Sequence, residues 1–530
     1  MSSISRRRFL LSPAAVAASG LLPSVLRAQT APAIISRDSA RPMLLSGLQS
    51  GDVLADRAIV WARASRPARM LLEWSTTASF ANATRLRGPD LLPDSGDGTG
   101  KLDVRGLPAG QEIFYRVVLE DMSGARVRSP AEQGHFRTPE NGATPATRSL
   151  RLVWSGDTAG QGFGINEAFG GMRIYEAMRK TSPDVFLHCG DTIYADGPIP
   201  AELKLRDGSL WKNIVTPQVS KVAETLDEFR GRHRYNLMDA NVRALGREVA
   251  QIWQWDDHEV ANNYSGSKSV MDDARYTEKN VRLLAARGQR AFMEYAPMRP
   301  FGAQESQRVY RRLPQGPLAD VFVLDMRSYR GPNSHNLQEV ESHDTDFLGR
   351  PQVDWLLEGL GKSQATWKII AADMPISLFV PDGKDAEGRA KWEAVANGDP
   401  GAPKGREMEM ARLLKGIKAA GIRNVVWLTA DVHYTAAHHF SPERAKFQDF
   451  DPFWEFVSGP LNAGGFGPNE MDKTFGGEVV FQKSAGHDNS APTEGCQFFG
   501  QVDIDHRSKA LTVTLKDLDG RALFTKTLEA

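Results

Sequence analysis

Cysteine is nearly absent from this chain, with only Cys189 and Cys496 among 530 residues. Two cysteines cannot build the disulfide framework that holds small secreted domains together, and they argue against a thiolate metal site. Stability must come from packing, and any metal must be held mainly by oxygen and imidazole. Long hydrophobic runs are missing as well: no segment is apolar over the ~20 residues a bilayer requires. Net charge is also lacking, at +0 from 65 basic and 65 acidic residues, so neither a nucleic-acid-binding surface nor a stable nucleic-acid partner is expected.

What the chain has is length. Its 530 residues exceed the roughly 250–300 at which a single hydrophobic core stops growing, so two domains are expected. Hydrophobic residues at 41% and charged residues at 25% are ordinary globular values, which argues against disorder for the bulk of the chain. Residues 1–28 read as an export signal: Arg6, Arg7 and Arg8 precede a short apolar stretch interrupted by Pro13 and Pro23, then small residues to Ala28. The Arg6-Arg7 pair resembles the twin-arginine pattern, which exports proteins already folded. Removal of the signal would leave 61 basic against 65 acidic residues, a net charge of −4. The expected location is periplasmic or secreted, reached through the twin-arginine (Tat) machinery, with no transmembrane anchor.

Residues 42–140 carry short strand patterns, AIVWARA, ARMLLEWS, EIFYRVVLED and GHFRTP, separated by turn-forming SGD, DSGDGTG and PAGQ. That spacing predicts a small antiparallel β-sandwich of immunoglobulin or fibronectin type. ENGATPATRS, 140–149, is a linker. From residue 150 to 530, hydrophobic strands alternate with helical patterns, and the fold class is α/β (α+β). The polar stretches 198–235 and 378–405 are expected as long loops or caps, and the last forty or so residues as a β-meander.

Four predicted strands end in residues able to ligate metal: Asp157 after RLVWSG, Asp191 after DVFLHCG, Asp257 and His258 after IWQWD, and Asp431 with His433 after VVWLTA. In α/β sheets, ligands bind just beyond the carboxyl ends of strands. One aspartate there is most often a turn or cap residue, but four convergent ones point to a metal centre. Carboxylate, imidazole and phenolate suit hard or borderline ions. His188 and Cys189 fit a strand core, His438 and His439 a structural role, and NAGGFGP, 462–468, lacks the lysine of a nucleotide loop.

The order GD, GDxxY, DDHE, DVH resembles the calcineurin-like metallophosphoesterases. WDDHEVANNY, GDTIYADG and TADVHY together are similar to the PhoD-type alkaline phosphatases and phosphodiesterases. The resemblance implies a two-sheet β-sandwich flanked by helices and a site holding Fe3+ and Ca2+, with Mn2+ or Zn2+ as other candidates. It implies Asp191 as the bridging ligand, Tyr194 and His433 on iron, and Asp257 with Asp431 on the second metal. Asp157 stands where the family generally places a cysteine, which hardens that ligand position. His258 is expected to stabilise the transition state or protonate the leaving group. Arg290 is expected to act with it. Asn262, Asn263, Arg287 and Arg327 are expected on the substrate. The implied reaction is attack of a metal-bound hydroxide on a small phosphate monoester or diester. Two alternatives stay open: a phospholipase D-like or polymer-directed phosphodiesterase on the same site, and a non-catalytic secreted binding protein. The intact ligand set argues against the second.

Overall fold

The computed structural model describes residues 41–122 and 127–530. The export signal expected at 1–28 lies outside them. The strands within residues 42–140 lie in two facing layers. One of these layers runs Thr84–Leu91, Ala68–Ser75, Glu112–Asp121, Glu132–Arg137. Ala68–Ser75 and Glu112–Asp121 alternate between covered and partly exposed positions, the period-2 pattern of a sheet with one face on a core. That core is built from Met70, Leu72, Tyr115 and Val117 against Val60 and Val104 of the opposite layer.

The opposite layer is not a closed sheet. Its strands Leu44–Leu54, Arg57–Ala64 and Thr99–Arg105 extend the first sheet of the larger domain, because Leu44–Leu54 pairs in parallel with Ala250–Gln254, Gly51 opposite Gln251. The approach is close enough to require glycine: a Cβ at Gly51 would lie 2.4 Å from the Pro297 carbonyl oxygen and 2.6 Å from that of Gln251. The resulting nine-stranded sheet continues through Val185–Cys189, Leu150–Ser155 and Phe498–Ile504 to the terminal strands Leu511–Asp517 and Ala522–Leu528.

A second sheet of seven strands faces it, with parallel neighbours Ala319–Val323, Trp367–Ala371, Val425–Thr429 and Phe453–Val457 at its centre. Leu152, Leu187 and Ile252 of the first sheet meet Val321, Ile369 and Leu428 of the second in one buried layer. The alternate residues, such as Val153 and Phe186, point outward under helices Arg173–Lys180 and Ala240–Glu248. Phe322, Ile370 and Trp427 lie likewise under Arg350–Lys362 and Arg406–Ala419. Strands covered on both faces explain the continuous hydrophobic runs in the sequence.

The two polar stretches are more ordered than loops. Residues 198–235 hold the hairpin Glu202–Lys204/Leu210–Lys212 and most of the helix Leu226–Asn236, opened by a Thr225/Glu228 capping box. Residues 378–405 hold the hairpin Pro381–Lys384/Ala390–Trp392. No described helix is long and apolar enough to cross a membrane.

Candidate active site and metal centre

The parallel strands of both sheets deliver their carboxyl ends to one place. Trp154 Nε1 donates to the Thr429 carbonyl across the sandwich at 3.2 Å. The Asp157 amide donates to Gly190 at 3.3 Å and the Ala430 amide to Asp373 at 2.8 Å. The chain turns sharply after each strand, and Asp157, Asp191, Asp431 and His433 all adopt left-handed backbone (φ 62°, 51°, 66° and 60°). Non-glycine residues seldom sit there, and four together mark backbone held by its surroundings to aim side chains at one point.

Their ligand atoms form three overlapping groups, each within 4.8 Å: Asp157, Asp191 and His433; Asp191, Asp257 and His258; Asp256, Asp257 and Asp431. Asp191 joins the first two and Asp257 the last two, so both sit between neighbouring positions. Tyr194 is fully buried and its hydroxyl meets His433 Nε2 at 2.8 Å. His433 Nδ1 donates to the Gly464 carbonyl at 2.5 Å, which turns Nε2 toward the cluster as a lone-pair donor. The glycine-rich loop therefore orients a ligand. Close approach again requires glycine, since a Cβ on Gly459 would fall 2.2 Å from Asp157 Oδ2.

The residues fit metal ions. Both carboxylate oxygens of Asp157, one of Asp256 and one of Asp257 are buried without a hydrogen-bond partner. Burial first, and then neighbouring carboxylates, push the Asp157 and Asp191 carboxyls well above their usual range; burial and Glu393 do the same to Asp431. Uncompensated buried carboxylates of this kind are held by protons or by cations. The first group adds imidazole and phenol to carboxylates and suits a borderline ion or ferric iron, whereas the third is all oxygen and suits a hard cation such as calcium. Burial lowers His433 to about 4, which keeps it a neutral ligand.

His258 lies at the edge of this cluster and lines a cavity of about 610 Å³ with Tyr194, Asp196, Asn262, Lys268 and Arg275. Its Nδ1 pairs with Asp196 Oδ1 at 2.7 Å and its ring lies tilted by 32° against Tyr194, centroids 4.2 Å apart. Burial opposes its charge but is outweighed by Asp196, Asp257 and Asp191, so the imidazolium is favoured well above its usual range.

The expected substrate residues fare differently. Asn262 lines the cavity. Asn263 is spent on structure: its amide donates to Asp257 Oδ2 and its side chain to Asp382 at 2.8 Å. Arg327 is corrected more sharply. It is fully buried, with donors on Asp256, Asp373, Glu393 and Asp431, so it is the counter-ion of the acidic cluster and presents no N–H to a substrate. Arg287 donates to the Glu224 carbonyl at 2.6 Å. Arg290 pairs with Glu294 at 3.0 Å and the Ser95 carbonyl at 2.9 Å, on the side of the N-terminal sandwich. Both arginines lie on the helix Val281–Tyr295, and neither is brought to the cluster by its contacts. The cations lining the His258 cavity, among the described residues, are Lys268 and Arg275 instead, from a polar stretch with no periodic signal.

The sequence reading passed over Asp256, Asp373, Glu393 and Asp196, whereas Glu259 was expected to orient its loop. Glu259 accepts from the Thr192 and Asp256 amides, 2.6 and 2.7 Å, and clamps two ligand loops together. Asp196 was legible as the acid two positions after Tyr194. His188 and His438 are core histidines as expected, on Thr158 and Glu455.

Comparison with known proteins leads to phosphatases. The PhoD-like phosphatase family model matches residues 152–515, and that of the PhoD-like phosphatase N-terminal domain matches 28–140. Alkaline phosphatase D of Bacillus subtilis (strain 168) is 27% identical over 471 residues, 82% of this chain and 72% of that protein. A solved structure of PhoD superposes with a TM-score of 0.67 at 21% identity, covering 92% of this chain and 89% of that one. Purple acid phosphatase PPD1 from yellow lupin (Lupinus luteus) seeds superposes at 0.57 with 13% identity, covering 92% and 74%, and shares the fold. The sandwich and the domain bearing the acidic cluster thus match successive parts of one family, and the chain belongs to the PhoD-like phosphatases, metal-dependent hydrolases of phosphoric esters.

Proposed function

We propose that this phosphatase is exported and hydrolyses phosphate monoesters or diesters, with Fe3+ held by Asp157, Asp191, Tyr194 and His433 and Ca2+ by Asp256, Asp257 and Asp431. The observation that carries the reading is the set of buried carboxylate oxygens without partners, four of them in one cluster beside an imidazole and a phenol. Bound there, the metals supply Lewis acidity toward the phosphoryl group and its nucleophilic water. The protein's own groups do the rest. His258 holds a proton at Nε2 for the leaving oxygen, fixed by Asp196 on Nδ1. Arg275, tied to the Asp196 carbonyl at 3.1 Å, and Lys268 place positive charge along the cavity wall for the phosphate's non-bridging oxygens. Tyr194 packs on the His258 ring and keeps water from that face. The export signal at 1–28 supports a periplasmic or secreted location, and loading of metal before export.

Metal analysis of the purified protein, run beside rates on a monoester and a diester, tests this. Iron with calcium and a visible phenolate-to-iron band, abolished by Tyr194→Phe, is the expected result. A colourless protein with manganese or zinc that still cleaves esters would move the metal identities. A metal-loaded protein that cleaves neither ester would overturn the reaction.

A further inference from the structure

A second cavity, of about 520 Å³, adjoins the catalytic one and shares Lys268 with it. The loop that bears the ligands divides them: Asn262 faces the first, Tyr264 and Ser265 the second. The second wall carries Lys268, Lys279, Arg282 and Arg330, and among the described residues no aspartate or glutamate lines it. Such a wall favours an anion. The helix Val281–Tyr295, fifteen residues long, begins at this cavity with Asn280, Val281 and Arg282, adding the positive end of its dipole.

Arg330 stands behind this wall. It is 3% exposed, and its Nη2 donates to Asn333 Oδ1 at 3.1 Å and to the Glu393 carbonyl. Its Nε and Nη1 have no acceptor at all. Its guanidinium packs 4.6 Å over the Phe347 ring and adds buried positive charge behind the wall. An arginine on such a wall, as Arg282 is, matches the oxygen spacing of a tetrahedral oxyanion through its Nε and Nη2.

We propose that this cavity is a phosphate subsite, which takes a second phosphate carried by the leaving group of the substrate while the first lies at the acidic cluster. The preferred substrates are then bisphosphorylated molecules whose two phosphates straddle Lys268. This rests on the phosphatase reading above. Free inorganic phosphate has the same chemistry and is the other source of an occupant.

The test compares α,ω-alkanediol bisphosphates of increasing chain length with alkyl monophosphates of the same length, on metal-loaded wild type, Arg282→Ala and Arg282→Glu. Arg282 is exposed, so the variants should fold. At the best-fitting length, kcat/KM should favour the bisphosphate about tenfold, mainly through KM, as expected for one added charge-assisted contact set. Arg282→Glu should abolish that preference. Calorimetric titration with inorganic phosphate should count one more site in wild type than in Arg282→Glu. No chain-length preference, but that difference in site number, would keep the subsite and make free phosphate its occupant. Equal preference and equal site number in wild type and variant would overturn it. If no ester is cleaved, the phosphatase reading fails and the calorimetric count still decides the subsite.

Discussion

Arg327 meets Asp256, Asp373, Glu393 and Asp431 with no exposure of its own. Removing a buried charge that compensates several others costs about 3–5 kcal/mol, so Arg327→Met should lower the melting temperature and reduce metal occupancy together. A variant that kept both would show that the metals alone balance the carboxylates. His258→Ala belongs to the chemistry instead: turnover should fall about 10²–10⁴-fold with metal content near that of wild type. Loss of metal in that variant would make His258 a ligand, which its place beside Asp191 and Asp257 allows geometrically. Asp196 separates the two cases by pH. Burial resists its charge but is outweighed by the His258 pairing, which holds Asp196 down at about 2 and His258 well above its usual range. The imidazolium form is present at low pH and is lost as pH rises through that raised pKa. Asp196→Asn should therefore move the basic limb of the pH–rate profile to lower pH, and an unmoved limb would assign it to another group. The sequence made the ligands legible because each follows a hydrophobic run. Asp373 and Glu393 escaped because their significance exists only where Arg327 gathers them from distant segments.

The strands were the most legible elements, since double-sided burial writes itself as unbroken hydrophobic sequence. The hairpins at 202–212 and 381–392 were not: each is short, polar and largely exposed, with no face to impose a period. Nor could local pattern reveal the pairing of Leu44–Leu54 with Ala250–Gln254, which joins segments 200 residues apart. That joint yields an element-scale prediction. Gly51→Ala places a methyl against two backbone carbonyl oxygens, so it should displace the strand that leads into Asp256, Asp257 and His258. Melting temperature and activity should fall together, and activity unaffected by a lowered melting temperature would uncouple joint from site. Gly459→Ala acts more locally: its methyl would strike Asp157 Oδ2, and affinity for the first metal should drop with little change in fold. Metal titration of the two proteins reads the difference.

For the molecule as a whole, stability should carry a pH signature from a group remote from catalysis. Burial first, then Asp472, raises the Glu407 carboxyl from 4.5 to about 8. The folded state keeps a proton that the unfolded chain releases, so this contribution is full below pH 4.5 and is lost as pH rises to about 8. Glu407→Gln should remove that loss, worth on the order of a few kcal/mol at about 1.4 kcal/mol per pH unit. The difference in melting temperature between variant and wild type should grow in the variant's favour across that range. A constant difference would show that Glu407 ionises in the fold without penalty. The shared nine-stranded sheet further predicts one calorimetric transition for both domains, where separate sheets would give two.

That sheet also sets an order of events during synthesis. The strand Leu150–Ser155, which leads to Asp157, lies between Val185–Cys189 and Phe498–Ile504. Its second neighbour leaves the ribosome only when almost the whole chain has been translated, so a nascent chain holds most of its ligand loops long before the sheet beneath the first one is complete. A chain ending before Phe498 would carry every expected metal ligand and still lack the strand that seats Asp157. Capture of metal at Asp157 is therefore predicted to await the last strands to be made.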